Sequence, residues 1–147
     1  MGLDMYLNKK TYIGANFSFN NVTGTLALKR DDVPIDINLN KLKYVLEEQA
    51  YWRKANAIHK WFVDNVQGGV DDCRVYEVYG EKLLELVKLC KEILADHSKA
   101  EELLPTCSGF FFGGTEYDEY YFECLEDTIE QLANVEADCY YEYDSSW

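Results

Sequence analysis

The stretch from Asn56 to Cys73 holds the side chains best suited to chemistry. It contains one of the chain's two histidines, His59, followed by Asp71, Asp72 and Cys73. An imidazole can serve as a general base or metal ligand, a carboxylate as an acid or hard ligand, and a thiolate as a nucleophile or soft ligand. The spacing matches no nucleophile motif, and no second His/Cys pair completes a tetrahedral zinc site. We therefore expect no catalytic residue, no bound metal and no cofactor.

We favour a structural role for the same residues. Apolar residues recur from Ala55 to Val66 at three- and four-residue spacings, and His59 lies on that stripe. This pattern predicts a histidine at the edge of the core whose ring bonds a backbone carbonyl. Asp71 and Asp72 follow a Gly-Gly turn, where carboxylates commonly accept hydrogen bonds from nearby backbone N–H groups.

The segment Gly109–Gly114, with the letters GFFFGG, offers an alternative ligand site together with the helix that carries His59. Three consecutive phenylalanines cannot all face one way in a strand, so either Phe111 or its two neighbours must point away from the core. A pocket between the two segments would suit a small, nucleotide-like ligand. Its lining would be His59, Trp61, Asp71, Asp72 and Phe111. The glycines lack the G-x-G-x-x-G and G-K-[ST] patterns of phosphate-binding loops.

The net charge of −13 is concentrated in the last third of the chain. Residues 1–99 carry all 14 Lys and Arg together with 14 Asp and Glu, whereas residues 100–147 carry the other 13 acids and no base. A negative field of this size repels nucleic-acid backbones and attracts basic proteins. We therefore expect a basic protein as the partner, without direct binding of nucleic acid.

Much of this acidic charge follows a helical pattern. Five glutamates are spaced three and four residues apart, which would place them on one helix face over roughly 21 Å. They are Glu116, Glu119, Glu123, Glu126 and Glu130. Tyr117 and Tyr120 lie beside them and add stackable rings. The stripe is either an ordinary solvated face or a mimic of a charged backbone that occupies a basic nucleic-acid groove.

The pattern of elements predicts a single α+β domain spanning residues 1–147, with a small antiparallel sheet and about three helices. We expect strands at 3–7, 23–30 and near 42–46, and a short strand in RVYEVY. Helices are expected at 50–66, 81–95 and 117–135. The final DCYYEYDSSW alternates like an exposed edge strand or a pinned tail. The sequence contains no apolar stretch of about eighteen residues, so we predict no membrane span.

Several blocks resemble a family of small proteins encoded by phages and prophages of bacteria. The matching letters are GLDMYL, YWRKANAIHKWFVDNVQ, DDC, LLPTCSGFFFGGTEYDEYY and LEDTIEQL. The resemblance implies a phage origin and a site of action in the cytoplasm of an infected bacterium, but it implies no activity, fold or ligand. Five cysteines without a C-x-x-C pair agree with a reducing compartment.

These observations favour a non-enzymatic phage accessory protein. Its predicted role is counter-defence, in which the acidic third blocks a basic host protein such as a defence nuclease. The alternative is a small-ligand sequestering protein or enzyme that uses the pocket around His59. The sequence leaves the oligomeric state open.

Overall fold

The computed structural model describes residues 2–14 and 23–147. Six strands and four α-helices lie within these ranges. The strands are β1 (Asp4–Tyr12), β2 (Lys29–Arg30), β3 (Val33–Pro34), β4 (Tyr44–Arg53), β5 (Tyr76–Tyr79) and β6 (Tyr140–Ser146). The helices are α1 (Asn56–Asn65), α2 (Gly80–Ala95), α3 (Ala100–Leu103) and α4 (Glu119–Gln131), with 3₁₀ turns at Leu39–Lys41 and His97–Lys99.

Four strands form an antiparallel sheet in the order β4-β1-β6-β5, and β2 pairs with β3 in a separate hairpin. Successive side chains of a strand point to opposite faces. On β1 the buried residues are Met5 and Leu7, and on β6 they are Tyr141, Tyr143 and Ser145. One face of the sheet is therefore the core face. The predicted α+β class is confirmed.

The helices cover that face of the sheet. Helix α1 buries Ile58 and Phe62, and α4 buries Tyr121 and Leu125. Helix α2, which agrees closely with its predicted range, contributes several fully buried side chains to the same core. These include Leu83, Leu86, Cys90 and Ile93. Within the described ranges, no helix combines the length and the apolarity that a membrane span requires.

The predicted helix at 50–66 was wrong in its first turn and a half. Residues 44–53 form β4, in which Ala50 and Trp52 point into the core at the two-residue spacing of a strand. Lys54 then adopts a left-handed backbone conformation with φ +55°, which turns the chain between β4 and α1. The helical periodicity was real, but it begins only at Ala55.

Three further predictions need correction. The tail was predicted to be an exposed edge strand or a pinned tail, but β6 lies between β1 and β5 in the middle of the sheet. The predicted strand at 23–30 is reduced to β2 at its last two residues. Helix α4 is also shorter than predicted, so that Glu116 and Tyr117 precede it.

Candidate functional site

The start of α1 is fixed by a buried asparagine rather than by an N-cap side chain. Ala55 precedes the helix and makes no side-chain cap bond. The Asn56 amide nitrogen donates to the carbonyls of Phe112 (3.1 Å) and Gly114 (2.8 Å), and its oxygen accepts from the Cys107 N–H (3.1 Å). These bonds attach the loop that contains GFFFGG to α1. They therefore hold the loop beside His59.

His59 is 1% exposed and has a partner on each ring nitrogen. Nδ1 lies 2.7 Å from the Tyr143 hydroxyl, and Nε2 lies 3.0 Å from Oδ2 of Asp71. The other oxygen of Asp71 accepts from the indole N–H of Trp147 at 3.0 Å. An ionised carboxylate can only accept, so a neutral His59 donates from Nε2 and accepts from Tyr143 at Nδ1. We call these four residues the His59 network.

Aromatic rings enclose the network. Phe62 stacks on Tyr143 with ring centroids 3.8 Å apart, and Phe112 meets the His59 ring edge-on at 5.3 Å. Burial raises the pKa of Tyr143 well above its ordinary value, so the hydroxyl stays protonated. The predicted bond from His59 to a backbone carbonyl was wrong, since both its partners are side chains.

Asp71, His59 and the Tyr143 hydroxyl form a chain of hydrogen bonds with the same order of groups as a catalytic relay. In such a relay the hydroxyl must reach a substrate, whereas the Tyr143 hydroxyl belongs to a side chain that is 0% exposed. The three groups join α1, β6 and the 66–75 loop through the hydrogen bonds of His59.

The other residues of the alternative ligand site lie apart from His59. Trp61 is buried against Phe62 with ring centroids 5.1 Å apart. Asp72 accepts from the backbone N–H and guanidinium of Arg74, and the guanidinium lowers the pKa of this carboxyl. Phe111 is exposed at the loop tip with φ +63°. Of the five predicted residues, only His59 and Asp71 are brought into contact.

The GFFFGG segment, for which either a buried strand or a turn was expected, forms a turn. Phe112 points into the core, whereas Phe110 and Phe111 are exposed and contact each other with ring centroids 4.3 Å apart. The left-handed conformation of Phe111 breaks the alternation that a strand would impose. Phe111 therefore points away from the core, as one alternative expected, but Phe110 does so as well, which neither alternative allowed.

The partly and fully buried cysteines are poor nucleophiles. Burial raises the pKa of the Cys107 thiol, and it raises the pKa of Cys124 to about 11 and of Cys90 to about 12. A reactive cysteine requires the opposite shift, because the thiolate is the nucleophile. These thiols are therefore protonated at neutral pH.

A weak metal-ligand cluster lies in the connection from α4 to β6. Among the described residues, Glu136, Asp138 and Cys139 bring three potential ligand atoms within 4.8 Å of one another. Lys9 already forms a 3.0 Å ion pair with Glu136, and the Cys139 thiol donates to the same carboxylate. The Lys9 amine would compete with a metal ion for the Glu136 carboxylate, so we assign no metal to this cluster.

Helix α4 separates its residues into a buried and an acidic face. The Thr128 hydroxyl accepts from the Trp52 indole N–H at 2.9 Å, and the Tyr121 hydroxyl donates to the Leu104 carbonyl at 2.8 Å. The outer face carries four exposed glutamates. They are Glu119, Glu123, Glu126 and Glu130, and we call them the α4 carboxylate face. None of these four has a Lys or Arg nitrogen within 4.0 Å in the part of the chain that the structure describes.

The remaining residues predicted to bind a partner differ from one another. Glu116 is exposed but precedes the helix. Tyr117 is half-buried, packs against Tyr121 and accepts from the Thr106 N–H at 3.4 Å. Tyr120 is exposed, and its hydroxyl donates to the Arg53 carbonyl at 2.6 Å. Tyr120 is therefore the tyrosine that the protein can offer to a partner beside the carboxylates.

A groove of about 340 Å³ runs between β4 and α4. Its walls include the rings of Tyr51 and Tyr120 and the carboxylates of Glu123 and Asp127. A smaller cavity of about 50 Å³ lies between the start of α1 and the start of α4. His59 and Asp71 line neither space. The ligand pocket predicted beside His59 therefore has no counterpart in these two cavities.

Sequence reasoning missed Asn56, Tyr143, Trp147 and Thr128. Tyr143 and Trp147 belong to a segment whose alternating residue pattern already indicated a strand. Had that strand been placed in the middle of the sheet, the same pattern would have identified Tyr143 as pointing into the core. The roles of Asn56 and Thr128 depend on partners 51 or more residues away. No local pattern signals such contacts.

Comparison of the chain with protein-family models, with curated proteins and with solved structures found no match.

Proposed function

We propose that this protein is a non-enzymatic binding protein whose α4 carboxylate face engages a basic surface of another protein. The single observation that supports this proposal is the absence of any neutralising base at those four carboxylates within the described residues. Like charges three and four residues apart destabilise a helix slightly. A partner rich in Lys and Arg would offset that repulsion.

The adjoining groove adds specificity to this charge. A guanidinium can stack on a tyrosine ring while it pairs with a carboxylate. Tyr51 and Tyr120 supply the rings, and Glu123 and Asp127 supply the carboxylates. We therefore propose that an arginine of the partner enters the groove while neighbouring bases lie along α4.

The resemblance to phage proteins supplies the biological setting of the proposal. A phage protein with an acidic face would act in the cytoplasm of its bacterial host. The partner class that we propose is a host defence nuclease, because its nucleic-acid groove is basic and its blockage would benefit the phage. The protein would then be a counter-defence inhibitor.

Charge reversal at the centre of the face tests the proposal. Glu123→Lys with Glu126→Lys should weaken binding to purified defence nucleases at least tenfold and relieve inhibition of DNA cleavage. The matched control is Glu101→Lys with Glu102→Lys, since this pair on α3 is exposed and changes the net charge equally. The control should change the affinity by less than about twofold.

Salt dependence provides a second measurement on the same panel. The association rate should fall steeply as ionic strength rises from about 0.01 to 0.15 M, because the Debye length shrinks from about 30 Å to about 8 Å. A nuclease panel that shows no binding, or binding that both double variants weaken equally, would overturn the proposed role of the α4 carboxylate face.

A further inference from the structure

The outer edge of β4 is closed along one half and open along the other. In the closed half, the Gln131 side chain pairs with Tyr51 as a neighbouring strand would. It accepts from the Tyr51 N–H at 2.8 Å and donates to the Tyr51 carbonyl at 3.0 Å. The Tyr120 hydroxyl donates a hydrogen bond of 2.6 Å to the Arg53 carbonyl. These contacts remove the second half of β4 as a site of further strand pairing.

The first half of β4 has no such cover among the described residues. The Ile13 N–H donates to the Lys43 carbonyl at 2.8 Å, and the register continues with Thr11 opposite Val45 and Lys9 opposite Glu47. The backbone groups of alternate residues in an antiparallel ladder point to alternate sides. Those of Tyr44, Leu46 and Glu48 therefore point outward, and no hydrogen bond to them occurs within the described ranges. This edge is also apolar, with Tyr44 48%, Val45 42% and Leu46 54% exposed.

We propose that this open edge pairs with the same edge of a second copy of the chain. Open, apolar edge strands are templates for strand addition. The two β4 strands would run antiparallel about a two-fold axis between the Val45 residues of the two copies. The two sheets would then join into one continuous sheet of eight strands.

The charge distribution along the strand favours a second copy as the occupant. Lys41 and Lys43 lie at one end of the open edge, and Glu47 and Glu48 lie at the other. An antiparallel pair of identical strands places these unlike ends opposite each other. Lys43 and Glu47 have no ion-pair partner among the described residues, so both are available for such a contact.

Backbone geometry selects the register. In the paired strands, a residue whose N–H points outward must lie opposite a residue of the other copy whose N–H also points outward. The two-fold axis must therefore pass through a residue position and cannot pass between two residues. An axis at Val45 places Tyr44 opposite Leu46 and Lys43 opposite Glu47, each contact occurring twice. An axis at Leu46 would instead place Val45 opposite Glu47, an apolar side chain against a carboxylate. The first register is therefore the one we propose.

A proline variant tests whether the edge is used. Sedimentation velocity of the wild-type chain should reveal dimers that dissociate on dilution between about 200 and 1 μM. Leu46→Pro should be monomeric throughout, because it removes an outward N–H, whereas the ladder with β1 uses the neighbouring residues. Leu46→Thr keeps the N–H and should still dimerise. Circular dichroism and the unfolding midpoint establish that each variant is folded.

A charge-swap cycle tests the register. Lys43→Glu and Glu47→Lys should each weaken the dimer about tenfold, since each creates two like-charge contacts. The double variant should recover the wild-type dissociation constant to within about threefold. A wild-type chain that stays monomeric at 200 μM, a folded Leu46→Pro variant that still dimerises, or a double variant that does not recover would each overturn the inference. None of these outcomes bears on the nuclease proposal, which concerns α4.

Discussion

The His59 network and the α4 carboxylate face both consist of polar and ionisable side chains, but they differ in how those groups are satisfied. Both nitrogens of His59 and both oxygens of Asp71 have partners inside the protein. The four glutamates of α4 have no ion-pair partner within the described residues. A group satisfied internally contributes to the free energy of unfolding, whereas an exposed and unsatisfied group is available to another molecule. Chemical type alone would have assigned these roles the other way round.

The strongest test of this difference is His59→Ala. The substitution creates a cavity and leaves the buried Tyr143 hydroxyl without its partner, so the free energy of unfolding should fall by about 3 kcal/mol. Urea denaturation followed by circular dichroism measures the loss. Glu123→Gln is the matched control on α4 and should change the free energy by less than about 0.5 kcal/mol. A loss at His59 below about 1 kcal/mol would show that the network contributes little to stability.

The pH dependence of stability tests whether a buried thiol, that of Cys90, also contributes to the free energy of unfolding. Burial raises the pKa of Cys90 from 9.0 to about 12, so the unfolded chain releases this proton first as the pH rises. The stabilisation is complete below about pH 9 and should be lost by about 1.4 kcal/mol per pH unit until the folded thiol ionises. Cys90→Ala should remove that contribution to the slope between about pH 9 and 11.

Val87→Ala on the same helix provides the matched control, because Val87 is buried but carries no titratable group. This variant should leave the slope of stability against pH close to that of the wild-type chain. Equal slopes for wild type and Cys90→Ala would contradict the prediction, since the buried thiol would then ionise as easily in the folded chain as in the unfolded chain.

The smallest expected effect is a gain in stability on α4. Glu126 lies three residues from Glu123 and four from Glu130, so Glu126→Gln relieves two repulsive pairs and should add about 0.5 kcal/mol at low salt. Glu85→Gln on α2 should act in the opposite direction, because it removes an ion pair with Lys82. Denaturation at about 0.01 and 1 M salt measures both, and the gain at Glu126 should vanish at the higher salt. A gain that persists at high salt would not be electrostatic.

The sequence predicted the features of this fold that depend on local periodicity. The range of α2 and the exposure of the α4 glutamates both follow from spacing and residue type. The segment before α1 was misread because alanine and aromatic residues fit either period over a few positions. The left-handed turn at Lys54, which separates the two elements, has no glycine to signal it.

Features that depend on distant partners could not be predicted. The tyrosines of β6 gave the tail a polar, exposed character in the sequence. In the structure their hydroxyls are satisfied inside, Tyr141 by the Glu136 N–H at 3.0 Å and Tyr143 by His59. A strand can be recognised as central only when both of its neighbours are known, and here β1 lies at the opposite end of the chain.

The central position of β6 also affects how the chain acquires its structure during synthesis. All four helices and five strands precede β6 along the sequence, yet β6 alone connects β1 to β5 in the sheet. A ribosome that adds about 5–20 residues per second therefore exposes an incomplete sheet for several seconds. During that interval one edge of β1 is unpaired, and the buried side chains of Tyr141 and Tyr143 are missing from the core. We expect the nascent chain to remain open until β6 emerges and then to fold in one late, cooperative step that is slow because the contacts join the two ends of the chain.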